Sequence, residues 1–188
     1  MPSKRLTKIS RFLSYHLRHA PEKLELTLEK GGWISIVKLL KAAQKHQFPI
    51  SLTELEEVVK TNDKQRFSFD EMKTRIRANQ GHSIPVDLQL VPKTPPSILY
   101  HGTYQQVVKK IKKDGLKKMS RHHVHLSEDQ KTAFTVGQRR GTPAVFQVNT
   151  QAMIAVGYEF YCSSNGVWLV DEVPPKYLTL KQTMGFDN

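Results

Sequence analysis

Residues 66–78, RFSFDEMKTRIRA, contain the pattern that decides the fold of the first half of the chain. Polar and apolar side chains alternate over 66–69 and again over 75–78, which is typical of strands. The polar stretch from Asp70 to Lys73 lies between them and predicts a turn. The two stretches are therefore expected to form an antiparallel hairpin.

Three helices are predicted ahead of this hairpin. Apolar residues recur at helical spacing over 6–17 and again over 36–43, and Gly31 and Gly32 break the chain between the two stretches. Thr53 and Glu56 have the spacing of a capping box, which predicts the start of a third helix. Because three helices followed by a hairpin is the element order of a winged helix, we expect that fold for the first lobe.

A proline-rich stretch separates the two halves of the chain. Pro85, Pro92, Pro95 and Pro96 disfavour helix and central strand, so we expect a linker there, with one lobe at 1–92 and a second at 93–188. Short apolar stretches in the second lobe predict strands near 98–100, 124–126, 145–148, 160–162 and 167–169, and helices near 107–111 and 131–138. The predicted fold class is therefore α+β.

The charge of the chain predicts a polyanionic partner. Its 188 residues contain 29 Lys and Arg against 17 Asp and Glu, a net charge of +12. Lysines and Arg121 are concentrated in 109–121, where only Asp114 opposes them. Such a cluster is either a solvated surface or a patch that follows a phosphate backbone, and nucleic acid is the first candidate. No stretch is apolar enough to predict a membrane span or a secretory signal, and we expect a cytoplasmic protein.

The first lobe contains basic side chains that suit a phosphate. Arg18 and His19 end the first predicted helix, Arg66 opens the hairpin, and Arg75 and Arg77 lie on one face of its second strand. Guanidinium groups bind phosphate through paired hydrogen bonds, so converging arginines can form a phosphate pocket. The alternative for Arg18 and His19 is a helix-end charge that the helix dipole favours.

The string NQGHS at 79–83 follows the hairpin directly. Its polar side chains can line the same pocket, and Gly81 allows the backbone to come close to a ligand. The alternative is a turn that binds nothing.

The second lobe has candidates of its own. His101-Gly102-Thr103 follows the predicted strand at 98–100, where an imidazole and a hydroxyl can bind a ribose and a glycine admits a flat amide or base. GQRRG at 137–141 places Arg139 and Arg140 at a helix end, where they either terminate the helix or complete the phosphate pocket.

A metal site is not predicted. The string RHHVH at 121–125 is rich in histidine, but no thiol or carboxylate lies at ligand spacing, and Cys162 is the sole cysteine. Contact with RNA, or structural burial of at least one of these histidines, explains the string better.

The chain resembles the RNA 2′-phosphotransferases of the KptA family, through strings that occur in the family's order: LRH (17–19), KQRF (64–67), RANQGHS (77–83), LYHGT (99–103), HVHL (123–126) and SNGV (164–167). The resemblance covers nearly the whole chain. It implies an N-terminal winged-helix lobe and a C-terminal NAD-binding lobe related to ADP-ribosyltransferases.

The resemblance also implies a reaction. Enzymes of this family remove an internal 2′-phosphate from RNA, of the kind that tRNA splicing leaves. The phosphate attacks the nicotinamide-bearing ribose carbon of NAD, and a neighbouring ribose hydroxyl then attacks phosphorus. The products are RNA with a 2′-hydroxyl, ADP-ribose 1″,2″-cyclic phosphate and nicotinamide. NAD is thus consumed, no metal is implied, and we expect a monomer whose partner is RNA, with tRNA as the expected substrate.

Residue roles are carried over from the same resemblance. The catalytic set falls on Arg18, His19, Arg66 and Arg139, with the spacing from Gly137 as the ground for choosing Arg139 over Arg140. The residues that match NAD-binding positions are His101, Gly102, Thr103, Asn165 and Gly166. Those expected to contact RNA or its phosphates are Arg75, Arg77, Asn79, Gln80, His82, Arg121 and His122.

Two other classes of function stay open on the sequence. An ADP-ribosyltransferase that caps terminal phosphates of nucleic acid would use the same pocket and stop after the first step. The other class is a non-enzymatic, RNA-binding winged helix with a degenerate second lobe. The presence of all four residues of the predicted catalytic set argues against it. Protein-modifying ADP-ribosyltransferases usually keep a catalytic glutamate, and Glu172 is the one candidate for it late in the second lobe. A phosphate nucleophile needs no base to activate it.

Overall fold

The structure is a computed structural model that describes residues 3–62 and 64–181. The chain divides between Gln89 and Leu90 into two compact units, a few residues before the boundary drawn from the prolines. Both units contain helices and strands, in agreement with the predicted α+β class. In the described ranges no helix is long and apolar enough to cross a membrane.

The first unit, as far as it is described, contains three α-helices and three strands. Their order along the chain is α1 (Lys4–Arg18), β1 (Trp33–Ser35), α2 (Ile36–Lys45), α3 (Leu52–Thr61), β2 (Phe67–Phe69) and β3 (Arg75–Ala78). The predicted hairpin is confirmed, since β2 pairs antiparallel with β3 and Phe67 lies opposite Ala78. The strand β1 was not predicted, and it pairs with the other edge of β3 to give the order β1-β3-β2.

The helices of the first unit present apolar stripes to one core. On α1, Leu6, Ile9, Leu13 and Leu17 are buried, as their spacing predicts. They pack with buried residues of α2, α3 and the sheet, among them Leu39, Leu55, Val58, Phe67 and Ile76. Burial of this kind holds short helices together that would be marginal in isolation.

The start of α3 differs from the prediction. The capping box is formed by Ser51 and Glu54, not by Thr53 and Glu56. The Ser51 hydroxyl accepts from the backbone N–H of Glu54 at 3.2 Å, and the Glu54 carboxylate accepts from the N–H of Ser51 at 2.9 Å. Both pairs have the same spacing, and Ser51 is selected because its backbone is extended while Thr53 already lies within the helix.

The second unit contains three α-helices and eight strands in its described part. They are β4 (Ile98–Tyr104), α4 (Val108–Asp114), β5 (Leu116–Lys117), β6 (Val124–Leu126), α5 (Gln130–Gly137), β7 (Pro143–Asn149), α6 (Thr150–Ile154), β8 (Tyr161–Cys162), β9 (Trp168–Val170), β10 (Glu172–Val173) and β11 (Leu178–Lys181). The sheets have the orders β11-β7-β4, β6-β9-β8 and β10-β5.

The longest strands of the second unit determine where its candidate residues lie. β4 pairs antiparallel with β7 along its whole length, from Ile98 opposite Asn149 to Tyr104 opposite Pro143. His101, Gly102 and Thr103 therefore lie inside β4, and the prediction that they follow the end of a strand is wrong. Tyr100 and Ser127 exchange two backbone hydrogen bonds at 2.8 Å, which brings β4 beside the chain that leaves β6.

Candidate functional site

A groove of about 620 Å³ runs along α1 in the first unit. One wall is α1, and the other is formed by the end of α3 and the segment that leads into β2. Three residues of the predicted catalytic set, Arg18, His19 and Arg66, line this groove together with Arg11 and Lys64. The basic side chains among the described lining residues give the groove a positive character that favours an anion.

The end of α1 places a guanidinium and an imidazole at one mouth of the groove. Arg18 is the last helical residue, and His19 is the C-cap, whose backbone N–H donates to the carbonyl of Tyr15 at 2.9 Å. A helix C-terminus stabilises positive charge, so this location is electrostatically favourable for both side chains. The helix-dipole explanation and a role in phosphate binding are therefore compatible.

The loop after β3 supports this helix end. The backbone N–H of Ser83 donates to the carbonyl of Arg18 at 2.9 Å, and the Ser83 hydroxyl shares a hydrogen bond of 2.8 Å with His19 Nδ1. Gly81 has a φ of +88°, and a Cβ there would stand 3.7 Å from Arg18 Nη1, so the loop passes close to the guanidinium. His82 is buried next to Gly32, and Gln80 is half-buried at the start of this turn.

Two asparagines hold Arg66. Asn62 Oδ1 accepts from Arg66 Nη1 at 3.0 Å and from the backbone N–H of Lys64 at 3.2 Å. The Asn62 amide also donates to the Ser10 hydroxyl on α1 at 3.1 Å, so it joins both walls of the groove. Asn79 holds the backbone, since its N–H donates to the carbonyl of Arg66 at 2.9 Å and its amide to that of Gln65 at 2.6 Å.

Asn79 was among the predicted residues, and Asn62 was not. The only sequence signal for Asn62 is an asparagine at the end of a predicted helix, just ahead of the KQRF string. Such a residue is usually a helix cap. Its contact with Arg66 depends on the path of the chain between α3 and β2.

Arg75 and Arg77 lie on one face of β3, as predicted, but they do not line the groove. The Arg75 guanidinium donates to Asp70 at 2.9 Å and pairs with Glu29 at 3.4 Å. Hydrogen bonds from the backbone N–H and side chain of Arg75 hold the pKa of Asp70 at about 2. The Arg77 guanidinium stacks over Trp33, 4.5 Å from the ring centre, and burial lowers its pKa. These contacts are structural, and a role in binding RNA stays a prediction for both residues.

His101 is the most constrained candidate of the second unit. Its Nδ1 lies 3.0 Å from the carbonyl oxygen of His125. Since a carbonyl only accepts, Nδ1 carries the proton and Nε2 is left as an acceptor in the neutral ring. Burial, reinforced by the charge of Arg121, lowers the pKa of His101 despite this hydrogen bond. The ring is therefore neutral at pH 7 and suits a hydroxyl donor such as that of a ribose.

Gly102 is required by packing. A Cβ on this residue would stand 1.7 Å from the carbonyl oxygen of Ala133, because α5 lies directly against β4. The neighbouring Thr103 is buried at 8% exposure. The lack of a side chain at Gly102 is thus explained by the helix, and contact with NAD stays a prediction for both residues.

Basic and polar side chains of the second unit lie on its turns. Arg139 and Arg140 are exposed in a short 3₁₀-helix, Gln138–Arg140, that follows α5. The pKa of Arg121 is lowered mainly by loss of hydration and also by the charge of Arg140. Its Nη1 lies 3.5 Å from His125 Nδ1. Of these two arginines, Arg140 is the one whose charge contributes to the lowered pKa of Arg121.

The remaining predicted residues are in two further turns. The His122 ring contacts that of His123 at 6.4 Å between centres. Asn165 Oδ1 accepts from the Ser163 hydroxyl at 2.7 Å, and Gly166 completes the turn between β8 and β9. Within 3–62 and 64–181 no three His, Cys, Asp or Glu side chains are grouped as metal ligands.

Comparison with known proteins identifies the family. The model of the family described as RNA 2′-phosphotransferase, Tpt1 / KptA family, matches residues 4–172. The chain is 61% identical over 178 residues to a probable RNA 2′-phosphotransferase of Trichormus variabilis, which covers 95% of this chain and 98% of that protein. A protein of the same name from Streptomyces griseus is 49% identical over 188 residues, covering 96% of this chain and all of the relative. The chain therefore belongs to the Tpt1/KptA family of RNA 2′-phosphotransferases, the family that its motifs predicted.

Proposed function

We propose that this protein is an NAD-dependent enzyme that removes an internal 2′-phosphate from RNA of the tRNA splice-junction type. The observation that carries the proposal is the groove of the first unit, where Arg18, His19 and Arg66 converge. Membership of a family of RNA 2′-phosphotransferases supports the same reaction class. The net charge of +12 supports RNA as the substrate.

In this proposal Arg18 and Arg66 bind the oxygens of the 2′-phosphate, and His19 donates a further hydrogen bond. A dianionic phosphate and its transfer both concentrate negative charge, which preorganised guanidinium groups stabilise most effectively. Preorganisation is supplied by Asn62 and Asn79, which hold Arg66, and by Ser83, which contacts both Arg18 and His19. The first unit would thereby orient the phosphate as a nucleophile.

The second unit is proposed to bind NAD. Neutral His101 offers Nε2 as an acceptor for a ribose hydroxyl, and half-buried Asn165 lies in the turn between β8 and β9 as the second proposed contact. These groups fit the hydroxyl and amide groups of a dinucleotide. When bound, NAD would supply the electrophilic ribose carbon, nicotinamide as the leaving group and the ribose hydroxyl that completes the transfer. Arg139 is proposed as the fourth catalytic cation.

The fold assignments of the two units belong to the same proposal. A helix, a strand, two helices and a hairpin succeed one another in the first unit, which supports a winged helix. For the second unit, the likeness to ADP-ribosyltransferases rests on the motif strings.

The test is incubation of the protein with NAD and an oligonucleotide that carries one internal 2′-phosphate, followed by mass analysis of all products. We expect the RNA to lose one phosphate, and nicotinamide and ADP-ribose cyclic phosphate to appear in equal amounts. Omission of NAD and use of an unphosphorylated oligonucleotide are the controls. RNA that gains ADP-ribose as a stable product would support the capping activity instead, and unchanged RNA would refute the proposal.

A further inference from the structure

The groove that contains Arg18 and Arg66 continues along α1 well beyond these two residues. Thr7, Ser10 and Ser14 line it at successive turns of the helix, ahead of Arg18. From Thr7 to Arg18 an α-helix rises about 16 Å at 1.5 Å per residue. The groove is therefore longer than a single phosphate needs, and the catalytic set occupies only one end of it.

The lining of this extension has the chemistry of a site for nucleic acid. It combines hydroxyl groups with the guanidinium of Arg11 and the ring of Tyr15, which is 43% exposed. In the described ranges no acidic side chain pairs with Arg11, whereas exposed Arg5 on the same helix is paired with Glu54. Proteins bind single-stranded nucleic acid in grooves that combine positive charge along the backbone with aromatic rings that stack on bases.

We propose that this extension, lined by Thr7, Ser10, Arg11, Ser14 and Tyr15, binds the single RNA strand next to the reacting nucleotide. Arg11 contacts a backbone phosphate and Tyr15 stacks on a base. The inference rests on the proposed function, because that function places the 2′-phosphate at the Arg18 end of the groove. Binding of the neighbouring strand makes the enzyme prefer a long RNA with an internal 2′-phosphate to a short fragment with the same 2′-phosphate.

Direct binding tests the extension independently of turnover. The probe is a fluorescent single-stranded hexanucleotide without a 2′-phosphate, titrated into the full-length protein at several salt concentrations. We expect Arg11→Ala to weaken binding about tenfold, as for loss of one hydrogen bond to a charged group, and to reduce the salt slope by about 1. Arg11→Lys, which keeps the charge, should retain the slope. The matched control is Lys8→Ala, because Lys8 is exposed on the same helix and does not line the groove.

Kinetics with 2′-phosphorylated substrates of two lengths then shows whether Arg11 and Tyr15 contact the strand beyond the reacting nucleotide. We expect KM for a hexanucleotide to rise about tenfold in Arg11→Ala and in Tyr15→Ala, with a loss on a dinucleotide that is several-fold smaller. Equal losses on both substrates, or equal binding by Arg11→Ala and Lys8→Ala, would overturn the groove assignment. Failure of the wild type to process either substrate with NAD would refute the proposed function, while the titration would still decide whether the groove binds RNA.

Discussion

Substitution of Asn62 by alanine tests whether Arg66 acts as a preorganised group. The change removes the acceptor of Arg66 Nη1 at 3.0 Å and of the Lys64 N–H at 3.2 Å, and the donor to Ser10 on α1. Arg66 itself is untouched and keeps its charge. Asn62 is therefore a positioning residue, and its loss should free the guanidinium to leave the geometry that binds phosphate.

The size of the effect follows from the hydrogen bonds that are lost. A hydrogen bond to a charged group contributes about 1.5–3 kcal/mol, and the lower value applies because water reaches the groove. A loss of about 1.5 kcal/mol in transition-state stabilisation corresponds to roughly tenfold in rate, since about 1.4 kcal/mol is a factor of ten. Removal of the guanidinium by Arg66→Ala should cost more, about a hundredfold to a thousandfold.

The assay is single-turnover release of nicotinamide and of 2′-hydroxyl RNA, with NAD and RNA saturating. Ser10→Ala is the matched control, because it removes the partner of the Asn62 amide and leaves the contact between Asn62 and Arg66 intact. Ser10 also lines the proposed RNA groove, so at saturating RNA its loss should raise KM for RNA and lower the rate less than threefold. Asn62→Asp, which keeps an acceptor for Arg66, should recover part of the rate if orientation is what was lost.

A purely structural role for Asn62 gives a different pattern. In that case Asn62→Ala and Ser10→Ala would lower the free energy of unfolding by similar amounts and leave the saturated rate unchanged. A wild-type rate in Asn62→Ala would refute the reasoning that connects this side chain to Arg66.

Four other outcomes are expected. Gly102→Ala should lower the free energy of unfolding by about 3 kcal/mol in urea titrations, because the new Cβ would meet the α5 backbone. An unfolding free energy equal to that of the wild type would contradict this packing. Asp70 has its pKa lowered from 3.8 to about 2, so the stability that it contributes is present above pH 4 and is lost as the pH falls through 2. Asp70→Asn should therefore be less stable at pH 7 and should flatten the acid limb of a plot of unfolding free energy against pH. Arg139→Ala should accumulate RNA that carries ADP-ribose on its 2′-phosphate, because transfer at phosphorus needs more charge stabilisation than attack on the ribose carbon. Accumulation in Arg140→Ala instead would make Arg140 the fourth catalytic cation. RNA affinity should fall as salt rises, and alanine at the four lysines of α4 should reduce the salt slope, whereas an unchanged slope would show that this surface is not used.

Much of the secondary structure was predictable because it depends on contacts close in sequence. The apolar periods of α1 and α2 and the alternation of β2 and β3 were sufficient to place those elements. The strand β1 was missed because three residues carry almost no pattern, and its pairing partner β3 lies far along the chain. The length of β4 was underestimated for the same reason, since β7 supplies its hydrogen bonds.

In the candidate site, too, some features were predictable from the sequence and others depended on contacts between distant residues. The sequence determined the family and the basic character of the chain, and it predicted the set Arg18, His19 and Arg66, because these depend on residue types and their order. Only the tertiary structure decided that these three share a groove, that Asn62 holds Arg66, and that Arg75 is paired with Asp70 and Glu29. The physical reason is that hydrogen bonds and charge pairs form between neighbours in space. Residues as distant in sequence as Ser10 and Asn62 become neighbours only when the helices pack.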